Sequence, residues 1–296
     1  MRAPTLIPRT ETEHWVNELA THLTDAVASS SRTIRASGEE RQKRVWRVLD
    51  IGTGTGCIAL ALAHTLEQAL QTATDSSAHV VAIDKSESAC ELAMINAKRN
   101  GLALVSSQRD GSHAPPLSIV AADQASNRVD VCVEQVDLWS ADDDILQRLV
   151  CDREHSALAG YDLIVSNPPY ITRREYDVLD RSVKDWEDPL ALLGELDREQ
   201  VYASNGEVAD EASAREAMDD DDDGLVFYRR IAHLLPRLAR RSLEDAPSLP
   251  LVVFETGYEQ AEAVAHILVT QTQGFITRTE VQSDQYGVAR VVYGWQ

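Results

Sequence analysis

No apolar run in these 296 residues approaches the ~20 that a membrane-spanning helix needs, so no helix of this chain is expected to cross a bilayer. Cysteine is scarce and scattered. Cys57, Cys90, Cys132 and Cys151 show neither the density of a disulfide framework nor metal-ligand spacing, and they read as reduced thiols. His64, His79, His113, His155, His233 and His266 also lack such spacing, which predicts no metal. Positive charge is in deficit: 28 Lys and Arg against 48 Asp and Glu give a formal net charge of −20. A surface of that sign repels phosphate backbones and suits a basic protein partner. The N-terminus has neither a secretory apolar stretch nor an Arg/Ser-rich transit pattern. Met1 runs almost at once into domain-like sequence, so a piece of a longer protein is expected.

Glycine is sparse too, at 14 in all, yet three stand within five positions at Gly52, Gly54 and Gly56. Before them, Val45–Ile51 reads as a strand; after them, Cys57–Leu70 reads as an Ala/Leu-rich helix. Further strands are expected at Val80–Ile83, Val129–Val136, Leu163–Ser166 and Leu251–Glu255. Helices are expected from Ser86 to about Asn100 and from Glu259 to about Thr272, and Phe275–Val281 with Val288–Tyr293 form a terminal hairpin. Strands alternating with helices predict a doubly wound α/β fold: a seven-stranded, mostly parallel sheet with an antiparallel C-terminal strand. Ahead of the sheet, Thr10 with Glu13 fits a capping box, and Trp15, Val16, Leu19, Leu23 and Val27 make a helical stripe. The stripe fades after Ala28, and Ser29 to Lys43 reads as a loop. The expected organisation is a segment and helix over 1–44 and one domain over 45–296, with insertions at about 106–127 and 195–223. The second insertion ends in Asp219-Asp220-Asp221-Asp222-Asp223 and reads as a solvated excursion.

Four constellations fall at the carboxyl ends of expected strands, where open α/β sheets bind ligands. Gly52-Thr53-Gly54-Thr55-Gly56 is a tight loop at a helix N-terminus that lets backbone approach a ligand. Its spacing is not that of a dinucleotide loop, and no P-loop lysine follows, so a nucleoside with a small polar tail fits better than a pyrophosphate. Asp84 stands where an acid accepts from ribose hydroxyls, although a carboxylate at a helix N-terminus is the plainer reading. Asp137-Leu138 offers a carboxylate for an exocyclic amino group and an apolar wall for adenine; a surface carboxylate is again the plain alternative. Asn167-Pro168-Pro169-Tyr170 ends the Leu163–Ser166 strand. Two prolines in a row remove two donors and stop the strand, leaving a rigid corner with unused carbonyls, one amide and one aromatic ring. Such a corner suits a planar –NH2 group, and adenine and glutamine both carry one.

These motifs resemble the class I S-adenosylmethionine-dependent methyltransferases. More narrowly, the chain is similar to the HemK/PrmC family, which methylates the side-chain amide nitrogen of glutamine in peptide chain release factors. Leu6-Ile7-Pro8-Arg9-Thr10-Glu11-Thr12-Glu13 is similar to that family's Leu-Ile-Pro-Arg-Pro-Glu-Thr-Glu. Trp186-Glu187-Asp188-Pro189-Leu190-Ala191-Leu192 resembles its Tyr/Phe-Glu-Pro-x-x-Ala-Leu. Asp223-Gly224-Leu225 with Tyr228-Arg229, Glu255-Thr256-Gly257 with Gln260, and Asp284, Gly287 and Arg290 match its later motifs. Thr10 and Asp188 stand where the family has proline, and its N-terminal helical bundle has no counterpart in these residues.

The resemblance implies S-adenosylmethionine as cofactor, with S-adenosylhomocysteine as product. It implies a Rossmann-like fold and a release factor as protein partner, with no sequence-specific nucleic-acid binding and a monomeric enzyme. It assigns Gly52, Thr53, Gly54, Thr55, Gly56, Asp84, Asp137, Leu138 and Asn167 to the cofactor. It assigns Asn167, Pro168 and Tyr170 to catalysis, and Asn167, Pro168, Pro169, Tyr170, Arg9 and Glu11 to the substrate. Asn167 and the Pro168 carbonyl would accept the two amide hydrogens, and Tyr170 would pack on the amide plane. The alternatives are an adenine-N6 nucleic-acid methyltransferase and a cofactor-binding relic without activity. The low-complexity insertions read as eukaryotic, which places the expected partner in the mitochondrial matrix or the cytoplasm.

Overall fold

The computed structural model describes residues 5–37, 44–73, 76–105, 129–150, 160–195, 223–240 and 249–296. The first insertion lies outside the described residues, as do Cys151 and all of the second insertion except its ends at Glu195 and Asp223.

The strands are β1 (Arg44–Ile51), β2 (Ser76–Asp84), β3 (Ala103–Leu104), β4 (Val129–Gln135), β5 (Leu163–Ser166), β6 (Val252–Glu255), β7 (Arg278–Ser283) and β8 (Ala289–Trp295). They form one sheet in the order β3-β4-β2-β1-β5-β6-β8-β7. β3 is the strand that sequence does not announce: two residues joined to β4 at the sheet edge. Pairing is parallel from β3 to β6, and β8 runs antiparallel to both β6 and β7. Because β1 lies between β2 and β5, the winding reverses beside it. A crevice therefore opens at the carboxyl ends of β1 and β5.

Helices cover both faces. On one face, α1 (Thr10–Ser37) contributes Trp15, Leu19 and Leu23 to a core shared with Ile58, Leu62 and Leu66 of α2 (Cys57–Leu70). α3 (Glu87–Arg99) adds Ala97 to the same core. On the other face, α4 (Asp142–Leu149) packs with two later helices, which we label α8 (Val226–Leu238) and α9 (Ala261–Gln271), around Tyr228, Leu235 and Phe254. Between them in sequence, α5 (Arg173–Val178), α6 (Arg181–Lys184) and α7 (Pro189–Leu192) form a short arm; of these three helices only α7 buries a side chain, Leu192. No described helix is long and apolar enough to cross a membrane.

Local chemistry explains where the expected boundaries move. α1 does not stop at Ala28 but runs to Ser37. Nothing in Ser29–Ser37 breaks a helix, and the next residue in sequence is Gly38. Thr10 is the first helical residue, and its hydroxyl donates to its neighbour Glu11 at 3.2 Å, so the expected capping box with Glu13 is replaced. α9 starts at Ala261 because Glu259 has φ 61°, outside helical geometry. The hairpin begins at Arg278 because Phe275 and Ile276 close the end of α9: their N–H groups donate to the Thr272 carbonyl and hydroxyl, both at 3.0 Å.

Candidate active site

The glycine loop leaves β1 and returns into α2 with Gly52, Gly54 and Gly56 all at positive φ, a conformation other residues adopt only under strain. It is tied to β2 by the N–H groups of Gly52 and Thr53, both donating to the Ile83 carbonyl at 2.9 Å. Beneath it, Asp50 is fully buried and accepts through one oxygen from the Thr53 hydroxyl (2.6 Å) and the Ala59 N–H (3.2 Å). Burial pushes the Asp50 carboxyl up to about 7, against those two hydrogen bonds and with help from nearby Asp84. Asp84 stands at the end of β2, its two oxygens accepting from the Gly54 and Ser86 N–H groups at 2.9 Å each. It thus shapes the loop while still lining the cavity described next.

The crevice opens into a cavity of about 400 Å³. Gly52, Thr53, Gly54, Thr55, Asp84, Asp137 and Leu138 line it, as do Asn167, Pro168, Pro169 and Arg9. Three other residues singled out from sequence do not: Gly56, Tyr170 and Glu11 lie off its lining. Gly56 instead presses on α3, where a Cβ would come within 3.1 Å of Ala93. Asp137 accepts from the Trp139 N–H at 3.0 Å and pairs with Lys85 at 3.2 Å. The Leu138 carbonyl accepts from Arg230 at 2.7 Å, so that carbonyl is already engaged.

At the end of β5, the Ser166 hydroxyl ties the strand to β1 by donating to the Ile51 carbonyl at 2.7 Å. The prolines then stop the ladder. Among the described residues none donates to the Asn167 side chain or to the Pro168 carbonyl, and both residues line the cavity. These two residues share the cavity with the glycine loop, and the Asn167 backbone carbonyl lies 3.9 Å from where a Cβ on Gly52 would be. The Tyr170 ring is turned against Gly257, and burial pushes its hydroxyl up to about 12, with the charge on Glu255 adding to the effect.

A family model described as "Methyltransferase domain" matches residues 42–167, the stretch from β1 to Asn167. A release factor glutamine methyltransferase of Flavobacterium psychrophilum is 28% identical over 79% of this chain and 51% of its own length. The human MTRF1L release factor glutamine methyltransferase is 29% identical over 66% of this chain and 42% of its own. That of Geobacter sulfurreducens is 29% identical over 98% of this chain and 65% of its own. The chain is similar to release factor glutamine methyltransferases. It spans about half the length of the first two of these proteins.

The cavity also has walls that no motif in the sequence marks. Trp139 and Phe227 meet edge to face at 5.8 Å and line it next to Leu138. Only the position of Trp139 just after Asp137-Leu138 signals its part; Phe227 is brought in by α8 from far along the chain. Arg9 gives one nitrogen to both oxygens of Glu187, at 2.7 and 2.9 Å. The Glu187 side chain is 2% exposed, so the pair bolts the N-terminal segment to the α6–α7 arm over the cavity. Thr12, also on the lining, donates to Glu255 at 2.6 Å, and the Trp15 indole donates to the same oxygen at 2.8 Å. The two departures from the family pattern are accommodated. Asp188 caps α7 by accepting from the Leu190 N–H at 2.9 Å, with Pro189 at the first helical position, and Thr10 occupies the corresponding place in α1.

The residues present fit S-adenosylmethionine. The side-chain-free backbone of the glycine loop lets a polar tail approach closely, Asp84 at a strand end suits ribose hydroxyls, and Leu138, Trp139 and Phe227 make an apolar wall suited to adenine.

Proposed function

We propose that this chain transfers a methyl group from S-adenosylmethionine to the side-chain amide nitrogen of the glutamine in the Gly-Gly-Gln motif of a release factor. The observation that carries this reading is the corner at the end of β5: an asparagine side chain and a proline carbonyl, both without donors among the described residues, on one cavity with the glycine loop and Asp84. Two acceptors at a rigid corner match the two hydrogens of one –NH2 group. When bound, the cofactor supplies an electrophilic methyl group whose bonding pair stays with sulfur as the new C–N bond forms. The protein's part is to hold the nitrogen. An amide lone pair is delocalised into its carbonyl. Accepting both N–H bonds fixes the nitrogen and lets it gain electron density as the methyl arrives, and one proton then leaves to water. Positioning and preorganised acceptors lower the barrier, and no strong base is required.

Under this reading Gly52–Thr55, Asp84, Asp137 and Leu138 hold the cofactor. Arg9, through Glu187, closes the rim where the substrate loop approaches. Tyr170 supports the corner from behind. The net charge of −20 favours a basic protein loop over a nucleic-acid backbone, which weighs against adenine-N6 methylation. The eukaryotic cast of the insertions leads us to place the partner in mitochondria. The test is mass spectrometry of a release factor incubated with the chain and cofactor. A methyl group on the Gly-Gly-Gln glutamine is expected. Methylation of adenine in DNA or RNA in place of that glutamine would replace this reading with the other. Asn167→Ala is expected to cut turnover by roughly 100-fold or more with cofactor affinity nearly unchanged; equal turnover would remove Asn167 from the mechanism.

A further inference from the structure

The Asn167–Pro169 corner carries the chemistry, yet it is poorly able to hold itself. Pro168 and Pro169 have no N–H, so the backbone between Asn167 and Tyr170 has no donor with which to tether the loop. The first tethers beyond the prolines are at Tyr170 and Ile171. The Ile171 N–H donates to the Leu192 carbonyl, and the Gly194 N–H donates back to the Ile171 carbonyl, each at 2.9 Å. The Tyr170 carbonyl accepts from the side-chain amide of Gln260 at 3.0 Å. That same nitrogen donates to the Asp223 carbonyl at 3.1 Å, and the amide oxygen accepts from the Gly257 N–H at 3.0 Å. One glutamine side chain therefore joins three separate segments: the corner, the start of α8 and the turn after β6.

Three glycines make room for this junction. A Cβ on Gly224, which has φ 71°, would collide with the Tyr170 carbonyl oxygen. A Cβ on Gly194 would lie 2.6 Å from the Gly224 carbonyl oxygen and 2.8 Å from the Tyr170 Cα. One on Gly257 would lie 2.9 Å from the Tyr170 ring. All four neighbours press on Tyr170, and none of them lines the cavity.

We propose that Gln260 is a positioning residue for methyl transfer. Clamped with Gly194, Gly224 and Gly257 around Tyr170, it sets where Asn167 and Pro168 present their acceptors to the substrate nitrogen. The inference rests on the functional reading above. Gln260 reaches the corner directly through the Tyr170 carbonyl, whereas the glycine loop and Asp84 lie on the far side of Asn167, on β1 and β2. The clamp therefore bears on turnover and leaves cofactor affinity alone.

The test is Gln260→Met, which keeps the side-chain length and removes the amide. Turnover on the release-factor glutamine is expected to fall roughly 10–100-fold, the cost of a small misplacement of reacting groups, with KM for the release factor little changed. Cofactor affinity by calorimetry is expected to stay within about twofold. Amide hydrogen exchange in the peptide spanning 166–171 is expected to speed up. Unchanged turnover, or a fall in turnover matched by an equal loss of cofactor affinity, overturns the proposal. If the unaltered chain does not methylate glutamine, the substrate reading fails on its own. The exchange experiment then decides the clamp: faster exchange at 166–171 supports it, and unchanged exchange sinks it.

Discussion

Asp50 has two carboxylate oxygens with unequal surroundings. One accepts from Thr53 and Ala59; the other is buried with no hydrogen-bond partner among the described residues. A bare buried oxygen favours the protonated acid, which is why burial moves this carboxyl from 3.8 to about 7. Between those values the folded state holds a proton that the unfolded state releases. Stability tied to this group is therefore present at the acid end, falls as pH rises through about 7, and levels off above it. Asp50→Asn keeps an oxygen for Thr53 and Ala59 and removes the titration. Urea midpoints measured from about pH 4 to pH 8 are expected to fall less steeply with pH in that variant than in the parent. A parallel pair of curves would show that Asp50 does not titrate in this window. The other residue-scale lever is Glu187, whose near-complete burial makes its pairing with Arg9 costly to break. Glu187→Gln is expected to lower unfolding free energy by about 1–3 kcal/mol, read by denaturant unfolding, because the Arg9 guanidinium loses its charged acceptor.

At the scale of elements, the C-terminal motifs turn out to be joinery around the site. Asp223 accepts from the Leu225 N–H at 2.9 Å and pairs with Arg229, which starts α8. Tyr228 on the same helix donates to the Glu255 carbonyl at 2.8 Å. Asp284 accepts from the Tyr286 and Val288 N–H groups, and Arg290 reaches back to the Thr256 carbonyl at 3.3 Å, locking the hairpin to the end of β6. α1 is fastened to that same end through Thr12 and Trp15 on Glu255. Burial raises the Glu255 carboxyl above its ordinary value, although both hydrogen bonds oppose the shift. Trp15→Phe keeps the ring in the core and removes the indole donor. It is expected to cost about 1–3 kcal/mol in unfolding free energy. A loss within a few tenths of a kcal/mol would mean that Thr12 alone satisfies Glu255. Element positions were legible because their periodicity is local: α2 and β5 lie where the apolar pattern places them, to the residue. The end of α1 and the two-residue β3 were not. Helix propagation through polar residues and pairing at a sheet edge leave no apolar signature.

For the whole molecule, charge is the property most open to test. A chain of net charge −20 meeting a basic loop gains from long-range attraction, which salt screens. With a release factor as the substrate, as proposed, its KM is expected to rise several-fold between roughly 50 and 200 mM salt. Affinity for the cofactor, whose proposed partners line the cavity at short range, is expected to change little. A salt-independent KM would mean that the acidic surface takes no part in docking.

The sequence by itself determined the alternation of strands and helices, the glycine loop, and the acceptor-rich corner after β5, because each is a matter of local backbone chemistry. Glycine alone tolerates the loop's φ values, and proline alone removes the donors from the corner. What only the tertiary structure decided is which residues meet. It turned Arg9 toward Glu187, set Tyr170 behind the corner against Gly257, and brought Gln260 from 90 positions away to hold the Tyr170 carbonyl. Those pairings depend on the order in which the strands lie in the sheet, and no spacing along the chain encodes that order.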